Sequence, residues 1–175
     1  MLQQCFKTKN KKDMTFKTAD LCDANPNTES INIVDNIGFK DYGGNSRFYG
    51  NIQTLKCFED HSWVEKMLSE DGTGKVLVVD GGGSLKCAIL GDRLASLAVK
   101  NNWNGVVVYG AIRDSVTISK LPIGVKALGT YPISNTKDTV WQKNIGIEFA
   151  GTYFWSDQYI YCDEDGMITS RSKLI

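Results

Sequence analysis

Asp92 precedes the adjacent pair Arg113 and Asp114 by twenty intervening residues, and these three side chains are the types that handle a small anionic substrate. An arginine fork can hold a carboxylate by two parallel hydrogen bonds. A carboxylate such as Asp114, completed by waters and substrate oxygens, suits a hard divalent cation such as Mg²⁺, and Asp92 could hold a water on that cation. The spacing is about one strand–helix–strand unit, so the turns carrying the two halves of the set are expected to open at the same sheet edge. Gly91, Asp92, Arg93 and Leu94 would form the first turn of a helix, where up to four amides lack intrahelical partners and favour an anion. Blander readings stand beside these: Asp92 as an N-cap, and Arg113 with Asp114 as an internal ion pair.

Other chemistry has less behind it. Gly81, Gly82 and Gly83 follow a strand-like run, but their spacing matches neither a phosphate loop nor a dinucleotide fingerprint, so close packing explains them better than a nucleotide. His61 is a lone histidine at a helix start, where a surface or capping role is expected. Ser84 has no neighbouring histidine to activate it as a nucleophile.

Five cysteines, at 5, 22, 57, 87 and 162, form no metal or disulfide spacing and suit a reduced, cytoplasmic protein. Twenty basic and twenty acidic side chains cancel, so no overall field favours direct nucleic-acid binding. No apolar run is long enough to cross a bilayer, and the basic N-terminus lacks the apolar stretch of a secretory signal.

The elements that must position the site can be read from periodicity and punctuation. With 175 residues and 42% hydrophobic content, one domain is expected over residues 18–175, behind a flexible N-terminal extension over 1–17. A short helix starts near Thr18, capped by Thr18 or Asp20 and stopped by Pro26. Phe48, Ile52 and Leu55 mark strand, with Gly50 as a candidate bulge. Trp63, Val64, Met67 and Leu68 recur at helical spacing behind Glu59 and Asp60. Residues 75–79 and 105–109 are β-branched runs suited to strands buried on both faces. Between them, Leu94, Leu97, Ala98 and Trp103 give a helix its buried stripe. A short helix over 115–120 and strands over 124–128, 145–151 and 158–161 follow, with a turn at Asp165 and Gly166 before a last strand. The class is α/β, a mixed sheet core with flanking helices.

The stretch VLVVDGGGSLKCAILGDRLASLAVKNNWNGVVVYGAIRD, with TADLCDA, FYGNIQTLKCFED, IGVKALGTYPI and DQYIYCDEDGMITS around it, resembles the RraA family from about Thr18 to Ser170. That family includes regulators of ribonuclease E activity and metal-dependent 4-hydroxy-4-methyl-2-oxoglutarate aldolases. The resemblance implies a swivelling β/β/α domain, a homotrimer and active sites in clefts between subunits. It implies further that Arg113 and the amides of Gly91, Asp92, Arg93 and Leu94 hold a pyruvate carboxylate. Asp114 would ligate Mg²⁺ or Mn²⁺, Asp92 would support the metal through water, and Glu59 and Asp60 would stand at the rim.

Two functions from different classes follow from the resemblance. One is a lyase that cleaves a 4-hydroxy-2-oxoacid to pyruvate and decarboxylates oxaloacetate through the same metal-stabilised enolate, with no Schiff-base lysine. The other is a non-catalytic regulator that binds a ribonuclease partner and does not grip RNA itself. A methyltransferase reading has only the glycine run behind it.

Overall fold

A computed structural model describes residues 15–26, 30–137 and 139–175, so most of the N-terminal extension, residues 1–14, lies outside the described residues. Twelve strands and four helices are found among them. Ten strands form one mixed sheet. Its spine runs β1 (Ile31–Val34), β12 (Met167–Ser170), β11 (Tyr159–Cys162), β3 (Phe48–Lys56), β4 (Lys75–Asp80), β6 (Gly105–Ile112), β7 (Gly124–Thr130) and β2 (Lys40–Asp41). β5 (Ala88–Leu90) adds to β6, and β8 (Gln142–Lys143) adds to β3. The central pairs β3/β4, β4/β6 and β6/β7 are parallel, as is β5/β6. The mixed α/β class is the one the element pattern predicts.

β4 and β6 are buried on both faces because their alternate residues enter different cores. Leu77, Val79, Val106 and Val108 pack under helices α2 (Ser62–Leu68) and α3 (Asp92–Lys100). Val76, Val78 and Val107 pack against Phe149 and Phe154 of the two-stranded sheet β9 (Ile147–Phe149) and β10 (Thr152–Phe154). The layers are therefore helices, sheet and hairpin. Gly50 makes no bulge: β3 keeps an unbroken register with both β11 and β4. A side chain there would meet the Gly74 carbonyl at 2.7 Å, so close backbone approach explains the glycine.

Helix α1 (Thr18–Ala24) forms where expected, but its N-cap is Lys17, which makes no side-chain cap. The Thr18 amide and hydroxyl instead donate to the buried carboxylate of Asp163, at 2.6 and 2.7 Å. Packing onto the domain also includes a residue before Thr18. Phe16 is buried, with its ring edge-on to Tyr49 and Tyr161.

Candidate active site

The site is assembled by a strand that has no periodic signal. β5 is only three residues long, yet it lies parallel to the end of β6 with Leu90 opposite Ile112. The Arg113 amide donates to the Leu90 carbonyl at 2.9 Å. β5, α3 and β6 thus form a tight crossover that returns Arg113 beside Gly91, which accounts for the twenty-residue spacing.

Gly91 is the N-cap of α3, and Asp92 is its first helical residue rather than its cap. The Gly91 carbonyl accepts the first helical bond, from Ala95 at 2.9 Å. Its backbone, at φ −130° and ψ −176°, is open to any residue. Space is what demands glycine: a Cβ would stand 2.9 Å from Asp114 Oδ2 and 3.3 Å from Arg113 Nε.

Asp114 adopts a left-handed backbone, φ 58° and ψ 35°, and caps the short helix α4 (Ser115–Ile118) with its carbonyl, which accepts from Thr117 and Ile118 at 3.0 Å. Aspartate tolerates this conformation better than most residues. The twist carries its carboxylate back to the start of α3, where Oδ2 accepts from the Asp92 amide at 3.3 Å. Arg113 and Asp114 touch through Nε and Oδ2 at 3.5 Å, and their side chains are 43% and 38% exposed. That single long contact is no fork-to-carboxylate pair, so the internal ion pair does not account for the guanidinium.

The first-turn amides are partly committed, unlike the expectation that all would face a ligand. Asp114 takes the Asp92 amide, and Asp92 Oδ1 takes the Arg93 amide at 2.7 Å. Both acceptors are anions, as the field at a helix start favours. The Arg93 guanidinium turns away and meets both oxygens of Glu65 on α2, at 2.5 and 2.7 Å. That pair holds the Glu65 carboxyl below its ordinary value. Leu94 is buried in the core beneath the turn.

Glu59 and Asp60 are not alike. Asp60 is fully buried and accepts from the Ser62 amide and hydroxyl and from the Thr139 amide and hydroxyl. Burial pushes its carboxyl up, but those bonds outweigh it and the net displacement is downward. It organises the start of α2 and does not stand at a rim. Glu59, at φ 51°, reaches Ser84 Oγ at 2.7 Å and Lys137 Nζ at 2.5 Å. The hydrogen bond from Lys137, with that from Ser84, lowers its carboxyl. Ser84 therefore donates its hydroxyl to the Glu59 carboxylate, which is itself tied to Lys137. His61 is the N-cap residue of α2, its ring nitrogen Nδ1 2.8 Å from the Asn135 carbonyl. Lys137 gave no signal in the sequence, because its partner is 78 positions away.

The glycine run does not form a phosphate cradle. The Gly81 and Gly83 amides both donate to the Tyr109 carbonyl, at 3.0 and 3.1 Å, and the Gly82 amide donates to Asp80 at 2.9 Å. Gly82 and Gly83 take positive φ values of 69° and 67°, and Gly81 and Gly83 lie against Tyr109. Conformation and close packing account for the glycines. Among the described residues the four cysteines are free thiols, and burial raises Cys57 to about 12, which makes it a poor nucleophile.

Asp92 and Asp114 offer hard oxygen donors with no thiolate or imidazole beside them, a donor chemistry that fits Mg²⁺ or Mn²⁺. Among the described residues no group of three or more His, Cys, Asp or Glu side chains converges on one point. Water and substrate oxygens would have to complete the coordination.

A family model described as RraA-like, Aldolase/RraA, matches residues 18–169. A protein of Laribacter hongkongensis, named provisionally as a 4-hydroxy-4-methyl-2-oxoglutarate aldolase, is 50% identical over 162 residues, covering 93% of this chain and 100% of that protein. Two solved structures are similar in fold and sequence. One, described as S-adenosylmethionine:2-dimethylmenaquinone methyltransferase from Geobacillus kaustophilus, has a TM-score of 0.86 at 40% identity and covers 91% of this chain and 97% of that one. The other, the RNA-processing inhibitor RraA from Thermus thermophilis, has a TM-score of 0.85 at 38% identity and covers 91% and 94%.

Proposed function

The chain belongs to the RraA-like Aldolase/RraA family, and from that membership and the site geometry we propose that it is a divalent-metal-dependent lyase. Its reaction is cleavage of 4-hydroxy-4-methyl-2-oxoglutarate-type oxoacids to pyruvate, with decarboxylation of oxaloacetate through the same enolate. The observation that carries this reading is the convergence of Arg113, Asp114 and the start of α3 on one sheet edge, with the Arg113 fork unmatched by its neighbour. Aldolase naming among relatives at about this level of identity supports it.

In this mechanism Arg113 grips the substrate carboxylate, and the dipole of α3 adds a favourable field. Asp114 and, through water, Asp92 would hold the cation. When bound, that cation supplies Lewis-acid stabilisation of the oxygen that becomes negative as the carbon–carbon bond breaks. Gly91 keeps the space over both Arg113 and Asp114 clear of side-chain atoms. The working unit is a homotrimer, with each site walled by a neighbouring subunit. Arg113 and Asp114, 43% and 38% exposed in the single chain, are open to such a neighbour.

A second reading, regulation of a ribonuclease by protein contact, is favoured by the similarity to the Thermus inhibitor. A methyltransferase reading gains nothing from the glycine loop, whose amides are committed to Tyr109 and Asp80.

The test is a pair of variants. Asp114→Asn keeps the shape and the left-handed backbone but removes the charge, and it is expected to abolish metal-stimulated pyruvate release. Arg113→Lys is expected to raise the KM for oxoacids, because an ammonium cannot reproduce the fork. Full activity in the first, or an unchanged KM in the second, would contradict the assigned role.

A further inference from the structure

The oxoacids of the proposed reaction carry a second carboxylate beyond the one assigned to Arg113, at C5 in 4-hydroxy-4-methyl-2-oxoglutarate and at C4 in oxaloacetate. A carboxylate drawn into a cleft is costly unless a cation meets it. The parallel strands β3, β4, β6 and β7 bring their carboxyl ends to one edge, and the cations beside Arg113 on that edge differ in what already holds them. Arg93 is held by both oxygens of Glu65, and Lys56 lies 3.5 Å from Asp80. Lys86 is exposed and has no ion pair among the described residues. Lys137 is both held in place and open: its side chain is 41% exposed, and Glu59 is its partner. An ammonium has three donors, so that bond leaves others for a ligand.

Lys137 ends a strap, residues 131–137, that starts at the site and crosses towards β3. The Tyr131 amide donates to the carbonyl of Ile112, the residue before Arg113, and the Ala88 amide of β5 donates to the Ile133 carbonyl, both at 2.8 Å. Further along, the strap meets Glu59, whose carboxylate accepts from Lys137 Nζ at 2.5 Å and from Ser84 Oγ at 2.7 Å. Glu59 keeps a left-handed backbone, φ 51°, which a residue other than glycine holds only where its surroundings impose it. The Glu59 carbonyl accepts from Cys87 Sγ at 3.5 Å, and Cys87 stands three residues before Leu90, whose carbonyl accepts from the Arg113 amide. Three residues of extended chain span at most about 10 Å, a separation that the long side chains of Lys137 and Arg113 can bridge with a dicarboxylate between them.

We propose that Lys137, held by Glu59, receives the distal carboxylate of the oxoacid and makes the site selective for aldol cleavage over decarboxylation. This inference rests on the lyase reading. In aldol cleavage the electron pair of the C3–C4 bond passes to the pyruvate enolate, and the C4 hydroxyl gives its proton to solvent and becomes a ketone. The distal carboxylate keeps its charge throughout. In oxaloacetate the bond that breaks joins C3 to the distal carboxylate itself, which leaves its electron pair on the enolate and departs as neutral carbon dioxide. A cation on that carboxylate is therefore retained through the first transition state and lost through the second, so it favours cleavage and opposes decarboxylation.

The test is the ratio of kcat/KM for cleavage of 4-hydroxy-4-methyl-2-oxoglutarate to kcat for decarboxylation of oxaloacetate, measured with Mg²⁺ in wild type, Lys137→Gln, Lys137→Arg and Lys86→Gln. Loss of a charged hydrogen bond to substrate is expected to lower the ratio at least about tenfold in Lys137→Gln. Lys137→Arg, which keeps the cation, is expected to restore most of it, and Lys86→Gln to leave it unchanged. A merely structural role would lower both activities together and leave the ratio where it was. A wild type that turns over neither substrate would refute the lyase reading and this inference with it. A wild type active on both, with the ratio unmoved in Lys137→Gln or shifted instead in Lys86→Gln, would overturn this inference alone.

Discussion

Replacing Gly91 by alanine should separate stability from chemistry. The backbone there accepts any residue, so the added methyl is judged only by what it meets. It would lie 2.9 Å from Asp114 Oδ2, where ordinary contact begins near 3.4 Å, so the carboxylate must retreat by about half an ångström. Asp114 Oδ2 is the tip of a side chain that is 38% exposed, so the retreat costs little folding energy. Loss of glycine at an N-cap costs about 1 kcal/mol, and the lower entropy of the unfolded alanine chain returns about 0.4–1 kcal/mol. The net change should stay within about 1 kcal/mol, a Tm shift of no more than about 4 °C for a chain this long. The retreat breaks the bond from the Asp92 amide and turns the proposed metal carboxylate away from Arg113. Misplacement by half to one ångström costs about 10- to 100-fold in turnover. The assay is thermal melting beside kcat/KM for pyruvate release. Wild-type kcat/KM at an unchanged Tm would refute the claim that Gly91 keeps this space clear for chemistry. A Tm loss above about 10 °C would refute the claim that the side chain absorbs the contact.

Asp60→Ala should show the opposite pattern. It strips bonds from Ser62 and Thr139 in a fully buried place, and a loss of about 3 kcal/mol is expected in denaturant melts; a loss below about 1 kcal/mol would contradict its structural role. Glu164 is held down to about 2, first by the Ser46 hydroxyl and then by its own backbone amide and Arg47. A depressed carboxyl stabilises the fold above its unfolded value of about 4.3 and loses that contribution as pH falls towards the folded value. The Tm difference between wild type and Glu164→Gln should therefore be constant at neutral pH and close between about pH 4 and pH 2; a difference that persists unchanged at pH 2 would contradict the sign.

Much of this architecture can be read from local pattern. β4 and β6 stand out because strands buried on both faces need unbroken β-branched runs, and α3 shows its apolar stripe plainly. β5 is the telling omission. Ala88, Ile89 and Leu90 are too few for a period, and their pairing with β6 is a property of the crossover. The residue types of the site were therefore visible, whereas the reason they meet was not. Capping misled for a similar physical cause. The start of α1 is satisfied by Asp163, 145 positions away, where local rules look only at Thr18 and Asp20. Asp60 and Glu59 look equivalent as an acidic pair, yet the left-handed backbone of Glu59 sends one carboxylate to Ser84 and leaves the other buried beneath Thr139. The Arg93 guanidinium pairs with Glu65, 28 positions away on another helix, a contact that no local pattern shows.

The most direct test of the central claim is pyruvate release from 4-hydroxy-4-methyl-2-oxoglutarate and from oxaloacetate, with Mg²⁺ and then with excess chelator, each corrected for the metal-only rate. The lyase account predicts turnover above that rate with both substrates, lost on chelation and restored by added metal. Equal rates with and without the protein would contradict it and leave protein-mediated ribonuclease regulation as the reading to pursue.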